Sequence, residues 1–183
     1  EAGGKFGIVQ SDEYRAMNPN AMVPTIDDGE GDARVVLWES NVIVRYLCAK
    51  HWTYQMYPEQ VPERFDAERW MDWQQTTLNR ASGGAFVQLV RVAPEQRDLA
   101  VIEQSVRAAE PLFALLDAHL STRSFMTGER FTMADIPIGC EVHRWFGLPA
   151  AEYRRPGWPN LERWFAQMLQ RPGARGVLDL GLE

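Results

Sequence analysis

The sequence is poor in cysteine and histidine and has no long apolar run. Its 183 residues include only Cys48 and Cys140. These lie far apart in segments of helical pattern, which is not a disulfide framework. Both are expected to be free, buried and structural. His51, His119 and His143 are the only histidines. None has a Cys or acidic partner at ligand spacing, so no metal centre is expected. No apolar stretch approaches the roughly 20 residues of a membrane span, and no signal-peptide pattern is visible at the start. A cytoplasmic protein with no membrane partner is expected. There is no Gly-x-Gly-x-x-Gly, which argues against a dinucleotide site, and no Gly-x-Ser-x-Gly elbow. Gly3-Gly4-Lys5-Phe6-Gly7 lacks the spacing of a phosphate loop. Basic residues are outnumbered, 19 Lys and Arg against 25 Asp and Glu, for a net charge of −6. That balance argues against nucleic acid as a partner. No internal repeat or low-complexity segment occurs.

Otherwise the composition is ordinary for a globular chain, 45% hydrophobic and 24% charged, with seven tryptophans to place in a core or pocket. The stretch that organises the rest runs from Asn18 to Tyr46. Thr25-Ile26 and Arg34 to Leu37 are β-prone runs around the turn-forming Asp28-Gly29-Glu30-Gly31-Asp32, an antiparallel hairpin with a loop longer than the tightest type. Val42, Ile43, Tyr46 and Leu47 then recur at helical spacing, with Ser40 or Asn41 as N-cap. The first turn of such a helix suits a carboxylate or phosphate, and Glu39 beside it suits an ammonium. Side by side they suit the amino-acid end of a zwitterion. A cis Val23–Pro24 bond would turn the Val23 main chain outward, where an extended peptide can pair with it. The plainer alternative is that the prolines mark turns and Glu39-Ser40-Asn41 only caps a helix.

Before this stretch, residues 1–6 read as the tail of a strand. Ser11 to Tyr14 open a short helix ending before Asn18-Pro19. After it, Trp52 to Pro62 reads as a linker, and no convincing strand follows. Pro62-Glu63-Arg64 starts a long helix whose apolar face is Phe65, Trp70, Met71, Trp73 and Leu78. Trp70 and Trp73 are read as core rather than pocket. Ser82-Gly83-Gly84 is expected to weaken or kink this helix before Phe86. Pro94 starts the next, with a core stripe at Ile102, Val106, Ala109, Phe113, Leu116 and Leu120 and a kink or break at Pro111. Thr132 and Asp135 have capping-box spacing, flanked by Phe131 and Ile136 as a hydrophobic staple. Trp158-Pro159 opens a last helix that Arg171-Pro172-Gly173 stops. The tail after Val177 is expected to pack loosely.

Asn18-Pro19-Asn20-x-x-Val23-Pro24-Thr25, followed by Leu37-Trp38-Glu39-Ser40-Asn41-x-Ile43-x-Arg45-Tyr46-Leu47, resembles the glutathione-binding half of cytosolic glutathione S-transferases of bacterial type. The Thr132/Asp135 box resembles the one in that family's helical domain. The resemblance implies a truncated thioredoxin-like domain over residues 1–52 and an all-helical domain over residues 62–183. In the family, the residue matching Val23 pairs its backbone with the cysteinyl unit of glutathione, the one matching Pro24 is cis, and those matching Glu39 and Ser40 hold the γ-glutamyl end. Asp72 stands about where an acid in several classes reaches across a dimer to the γ-glutamyl amine, and a solvated helix acid is the plainer reading. Thr77 and Arg80 stand where the family lines its pocket for the second substrate. The resemblance further implies a homodimer in which glutathione thiolate, as co-substrate, attacks a small electrophile. The family's first strand and helix, roughly 30 residues, are expected upstream of Glu1. The thiol-activating Ser, Tyr or Cys is expected there, so the catalytic residue is unknown. A glutathione-dependent dehalogenase, isomerase or disulfide reductase, or a non-catalytic interaction module, are the alternatives on the same fold.

Overall fold

The computed structural model describes residues 7–52 and 55–182. The strand tail expected at residues 1–6 lies outside them. The chain divides into two units after residue 53.

In the first unit, the Ser11 hydroxyl accepts from Tyr14 N–H at 3.2 Å and caps α1, Asp12–Met17. α1 stops at Asn18, whose extended backbone is what a following proline imposes. β1, Thr25–Asp28, pairs antiparallel with β2, Val35–Trp38, placing Thr25 opposite Trp38 and Asp28 opposite Val35. The chain between them makes a 3₁₀ turn at Gly31–Ala33. It starts at Gly29, with φ +89°, where a Cβ would come within 2.6 Å of the Ala33 carbonyl oxygen. This is the long-looped hairpin expected. α2, Ser40–His51, buries Asn41, Ile43 and Cys48. Lys50 at 2.6 Å and the Tyr46 hydroxyl at 2.8 Å both bond Asp28. They tie β1 to α2 and hold the Asp28 carboxyl below its ordinary range.

The second unit opens on a continuous helical run over residues 61–91: α3 (Val61–Trp73), a π segment (Gln74–Leu78), α4 (Asn79–Phe86) and a second π segment (Val87–Arg91). Ser82-Gly83-Gly84 does not break it, and the irregular turns fall elsewhere. The Ser82 hydroxyl bonds back to the Leu78 carbonyl at 2.9 Å and to Glu141 at 2.5 Å. At Gly84 a Cβ would lie 3.2 Å from both Ser105 Cβ and Val101 Cγ1, so its bare backbone is the contact surface for the next helix. Phe65, expected on the apolar face, is 63% exposed. Trp70 and Met71 are buried and Trp73 is half-buried.

That next helix, α5, covers Leu99–His119. Asp98 starts it, its carboxylate accepting from Ala100 N–H at 2.9 Å. Pro94 makes only a 3₁₀ turn. Pro111 lies on the exposed side without ending α5, so the carbonyl it leaves unpaired faces water. Ser105, Ala109, Phe113, Leu116 and Leu120 are buried, while Ile102 and Val106 are half-buried. Phe113 stacks between Trp145 and Trp158, with ring centroids 4.9 and 5.4 Å away.

α6, Asp135–Phe146, starts on a fully buried carboxylate. Asp135 accepts from Met126 N–H and Trp164 Nε1–H at 2.9 Å each, and from Thr132 N–H at 2.8 Å. The reciprocal half of the expected capping box is absent. The Thr132 hydroxyl lies 3.4 Å from Asp135 Oδ2, and Asp135 N–H bonds the Thr132 carbonyl at 3.1 Å. A carboxylate without water draws every nearby donor to itself. Burial pushes the Asp135 carboxyl up to about 6, against the pull of these donors. α7, Pro159–Leu169, borrows its cap from α5: Asp117 accepts from Asn160 N–H at 2.7 Å and Leu161 N–H at 2.9 Å. The tail is anchored where loose packing was expected. Leu178 is buried, and a Cβ on Gly147 would come within 2.7 Å of Leu182 Cδ1. Cys48 is buried as expected, but Cys140 is exposed, on the side of α6 away from the core. Among the described residues this unit has no strand, only an isolated bridge between Phe125 and Gly128.

Candidate functional site

The hairpin register brings the two halves of the expected site together. Thr25 pairs with Trp38 as the last rung of the ladder, and Pro24 and Glu39 are the residues that adjoin that rung in the sequence, one before β1 and one after β2. Val23-Pro24 and Glu39-Ser40 therefore share one end of the hairpin, with strands about 4.8 Å apart.

The Val23–Pro24 peptide bond is cis. Val23 is 48% exposed, and its backbone N–H and C=O bond nothing among the described residues. The residue before it is firmly held. The Met22 carbonyl accepts from the Tyr14 hydroxyl at 2.7 Å and from Asn18 Nδ2 at 2.8 Å. The same two side chains reach Thr25 Oγ1, at 2.9 and 3.1 Å. Asn18 is itself buried. Tyr14 and Asn18 thus fix the chain on both sides of the cis bond, a role not read from the sequence. The signal available was an Asn directly before Pro19, a residue type that folds its side chain onto nearby backbone.

Across the hairpin, Glu39 is left-handed at φ +73°. It is the N-cap residue of α2, with no side-chain cap bond, and Ser40 is the first helical residue. This corrects the expected capping role of Ser40 or Asn41. Both Glu39 and Ser40 are exposed. The Glu39 carboxylate and the Ser40 hydroxyl have no partner among the described residues. A non-glycine residue at positive φ costs about 1 kcal/mol or more, and here it leaves a carboxylate, a hydroxyl and an uncapped helix start on one exposed corner. Such a corner takes an ammonium and a carboxylate at once.

Asp72, Thr77 and Arg80 belong to the second unit. Asp72 is exposed near the end of α3, its carbonyl accepting from the Thr76 hydroxyl at 2.8 Å. Thr77 is half-buried in the first π segment, and Arg80 is exposed at the start of α4. No group of three or more His, Cys, Asp or Glu among the described residues is placed to hold a metal ion. His119 Nε2 lies 2.7 Å from the Met126 carbonyl, with its ring 4.4 Å from Trp70. No helix among them is long and apolar enough to cross a membrane.

Two family models match: "Glutathione S-transferase, N-terminal domain" over residues 7–50 and "Glutathione S-transferase, C-terminal domain" over residues 82–172. The chain is 41% identical over 177 residues to glutathione S-transferase GstB of Escherichia coli K12, covering 97% of this chain and 83% of that protein. Its fold superposes on the theta-class glutathione S-transferase of Xanthomonas axonopodis pv. citri, solved with glutathione bound, with a TM-score of 0.91 and 38% identity. That match covers all of this chain and 84% of the other. A glutathione transferase of Burkholderia graminis shares the fold at a TM-score of 0.82 and 24% identity, over 97% of this chain and 75% of that one. With both units matched and the thioredoxin-like and helical parts in the family's order, the chain belongs to the glutathione S-transferase family.

Proposed function

We propose that this protein is a glutathione transferase, joining the thiolate of glutathione to a small electrophile, and that residues 23, 24, 39 and 40 hold the tripeptide. The observation carrying the site is the hairpin end. An unpaired Val23 main chain lies at the same end of the hairpin as a carboxylate and a hydroxyl that bond nothing else among the described residues. These orphan groups match the polar groups of glutathione one for one. Val23 N–H and C=O pair with the backbone of the cysteinyl unit. Glu39 takes the γ-glutamyl ammonium, and the Ser40 hydroxyl and the start of α2 take its carboxylate. The thiolate is the reactive form, so the sulfur needs a donor or positive charge beside it. The transferase reading is preferred over the dehalogenase, isomerase, reductase and non-catalytic alternatives because GstB, at 41% identity, carries the transferase name.

Residues 1–52 form the glutathione-binding domain and residues 62–183 the helical domain. In the latter, Thr77 and Arg80 face the electrophile, and Asp72 reaches the γ-glutamyl amine of a partner subunit in a homodimer. The protein works in the cytoplasm, in keeping with its two free thiols.

With an aryl halide as electrophile, Ser40→Ala should raise the glutathione KM about tenfold and lower kcat much less, because it removes binding shared by ground and transition states. An unchanged KM would remove Ser40 from the site. Failure of the wild type to stay on immobilised glutathione would remove the reading itself.

A further inference from the structure

We propose that Glu141 is a positioning residue for the second substrate: its buried carboxylate holds in register the wide helical turn that carries Thr77. The inference rests on the transferase reading, in which Thr77 and Arg80 face the electrophile.

Glu141 is 2% exposed and lies midway along α6. It caps nothing, unlike Asp135 at the start of the same helix. It pairs with Arg144, whose guanidinium is 3.9 Å away on an exposed side chain. A carboxylate taken out of water is costly unless hydrogen bonds satisfy it. Both of its oxygens are turned to the 61–91 run. Oε2 accepts from Gln74 Nε2 at 3.3 Å, and Oε1 accepts from the Ser82 hydroxyl at 2.5 Å. Gln74 and Ser82 are buried too.

These two partners bracket the first π segment. Gln74 opens it, and the Asn79 N–H reaches back five positions to the Gln74 carbonyl. In a regular α-helix, residues eight apart stand about 80° from each other around the axis. The wide turn absorbs one extra residue, about 100° of rotation, and so brings positions 74 and 82 to within about 20°. One carboxylate can then reach both, so the register and the Glu141 bonds depend on each other. Thr77 sits half-buried inside the wide turn, and Arg80 follows it. A return to α spacing would rotate Arg80 by about 100°. Asp72 precedes the turn and would stay in place.

The test is steady-state kinetics of the full chain with glutathione and an aryl halide, each varied while the other is saturating. Glu141→Gln keeps the shape but leaves one oxygen for two donors. It should raise the aryl halide KM about fivefold or more and move the glutathione KM less than about twofold. The exchange Gln74→Glu/Glu141→Gln restores an amide–carboxylate pair with the roles reversed. It should bring the aryl halide KM back to within about twofold of wild type. A purely structural role would lower Tm and leave both KM values as they were. That outcome, a parallel rise of both, or no recovery in the exchange would each overturn the proposal. If Glu141→Gln fails to fold, Ser82→Ala, which keeps the Gln74 bond, should still show the selective rise, and its absence counts equally against Glu141. A wild type without turnover would remove the transferase reading and this inference with it. Turnover with an unmoved variant removes the inference alone.

Discussion

Asp135 carries more of the helical unit's polar organisation than any other single residue. Its two oxygens join the loop at Met126, the backbone of Thr132 and the indole of Trp164 across the core. Asp135→Asn keeps the shape but puts an NH₂ where an acceptor stood, so at least one buried N–H loses its partner. That should cost about 1–3 kcal/mol, seen as a fall in Tm. Titration adds a second signature. Burial raises the folded carboxyl from 3.8 to about 6. The native state therefore holds the proton more tightly than the unfolded chain. Its contribution is fully present below the unfolded value and is lost as pH rises through about 6. The stability gap between wild type and Asp135→Asn should widen as pH falls from about 7 to 4. A gap that is constant or narrows would show that the donors, not burial, set the ionisation. Exposed Asp27 and half-buried Asp28 move the other way, lowered by Arg34 and by Lys50 with Tyr46. They act alike in both proteins and cancel in the comparison.

At the scale of an element, two adjacent glycines on α4 separate what a sequence says from what packing decides. Ser82-Gly83-Gly84 reads as a weak point, yet the helix passes through. The reason lies in α5: a Cβ at Gly84 would meet Ser105 and Val101 at 3.2 Å, whereas one at Gly83 meets nothing within 4 Å. Gly83→Ala should therefore stabilise by about 0.5–1 kcal/mol through reduced backbone freedom. Gly84→Val should destabilise by about 1–3 kcal/mol by overpacking. The same sign at both positions in a denaturant melt would refute this division of roles.

The hairpin, α2 and a long helix opening at Pro62 were legible because their signals are local: turn residues, period, a proline in the first turn. The cis bond at Val23–Pro24 and the exposed Glu39-Ser40 turn at the start of α2 were legible too. What escaped depends on partners distant in sequence. Asn18 and Tyr14 show their purpose only when folded onto Met22. Asp117 caps a helix 43 positions away. The start of α5 at Asp98 was hidden by the stronger apparent signal of Pro94. The N-cap slipped by one residue because Glu39 adopts a left-handed backbone that no propensity favours.

For the whole molecule, the exposed face of α3 bears on assembly. Val61 and Phe65 are 59% and 63% exposed and stand one turn apart. Asp72 follows seven positions after Phe65, on the same side of the helix. A chain of net charge −6 repels its own copies at long range, so association needs a short-range apolar contact such as this one. Two-fold pairing would set Phe65 of each copy against the matching face of the other. It would also carry each Asp72 toward its partner, the geometry its proposed role requires. Phe65→Asp should then shift the protein from dimer to monomer in sedimentation, raising the dimer Kd by at least about a hundredfold, since a charge buried at such a contact costs several kcal/mol. If Asp72 acts across the interface, the same variant should raise the glutathione KM without touching the hairpin end. A Phe65→Asp protein that stays dimeric would move the interface elsewhere. One that becomes monomeric with an unchanged KM would keep the interface and remove Asp72 from the site.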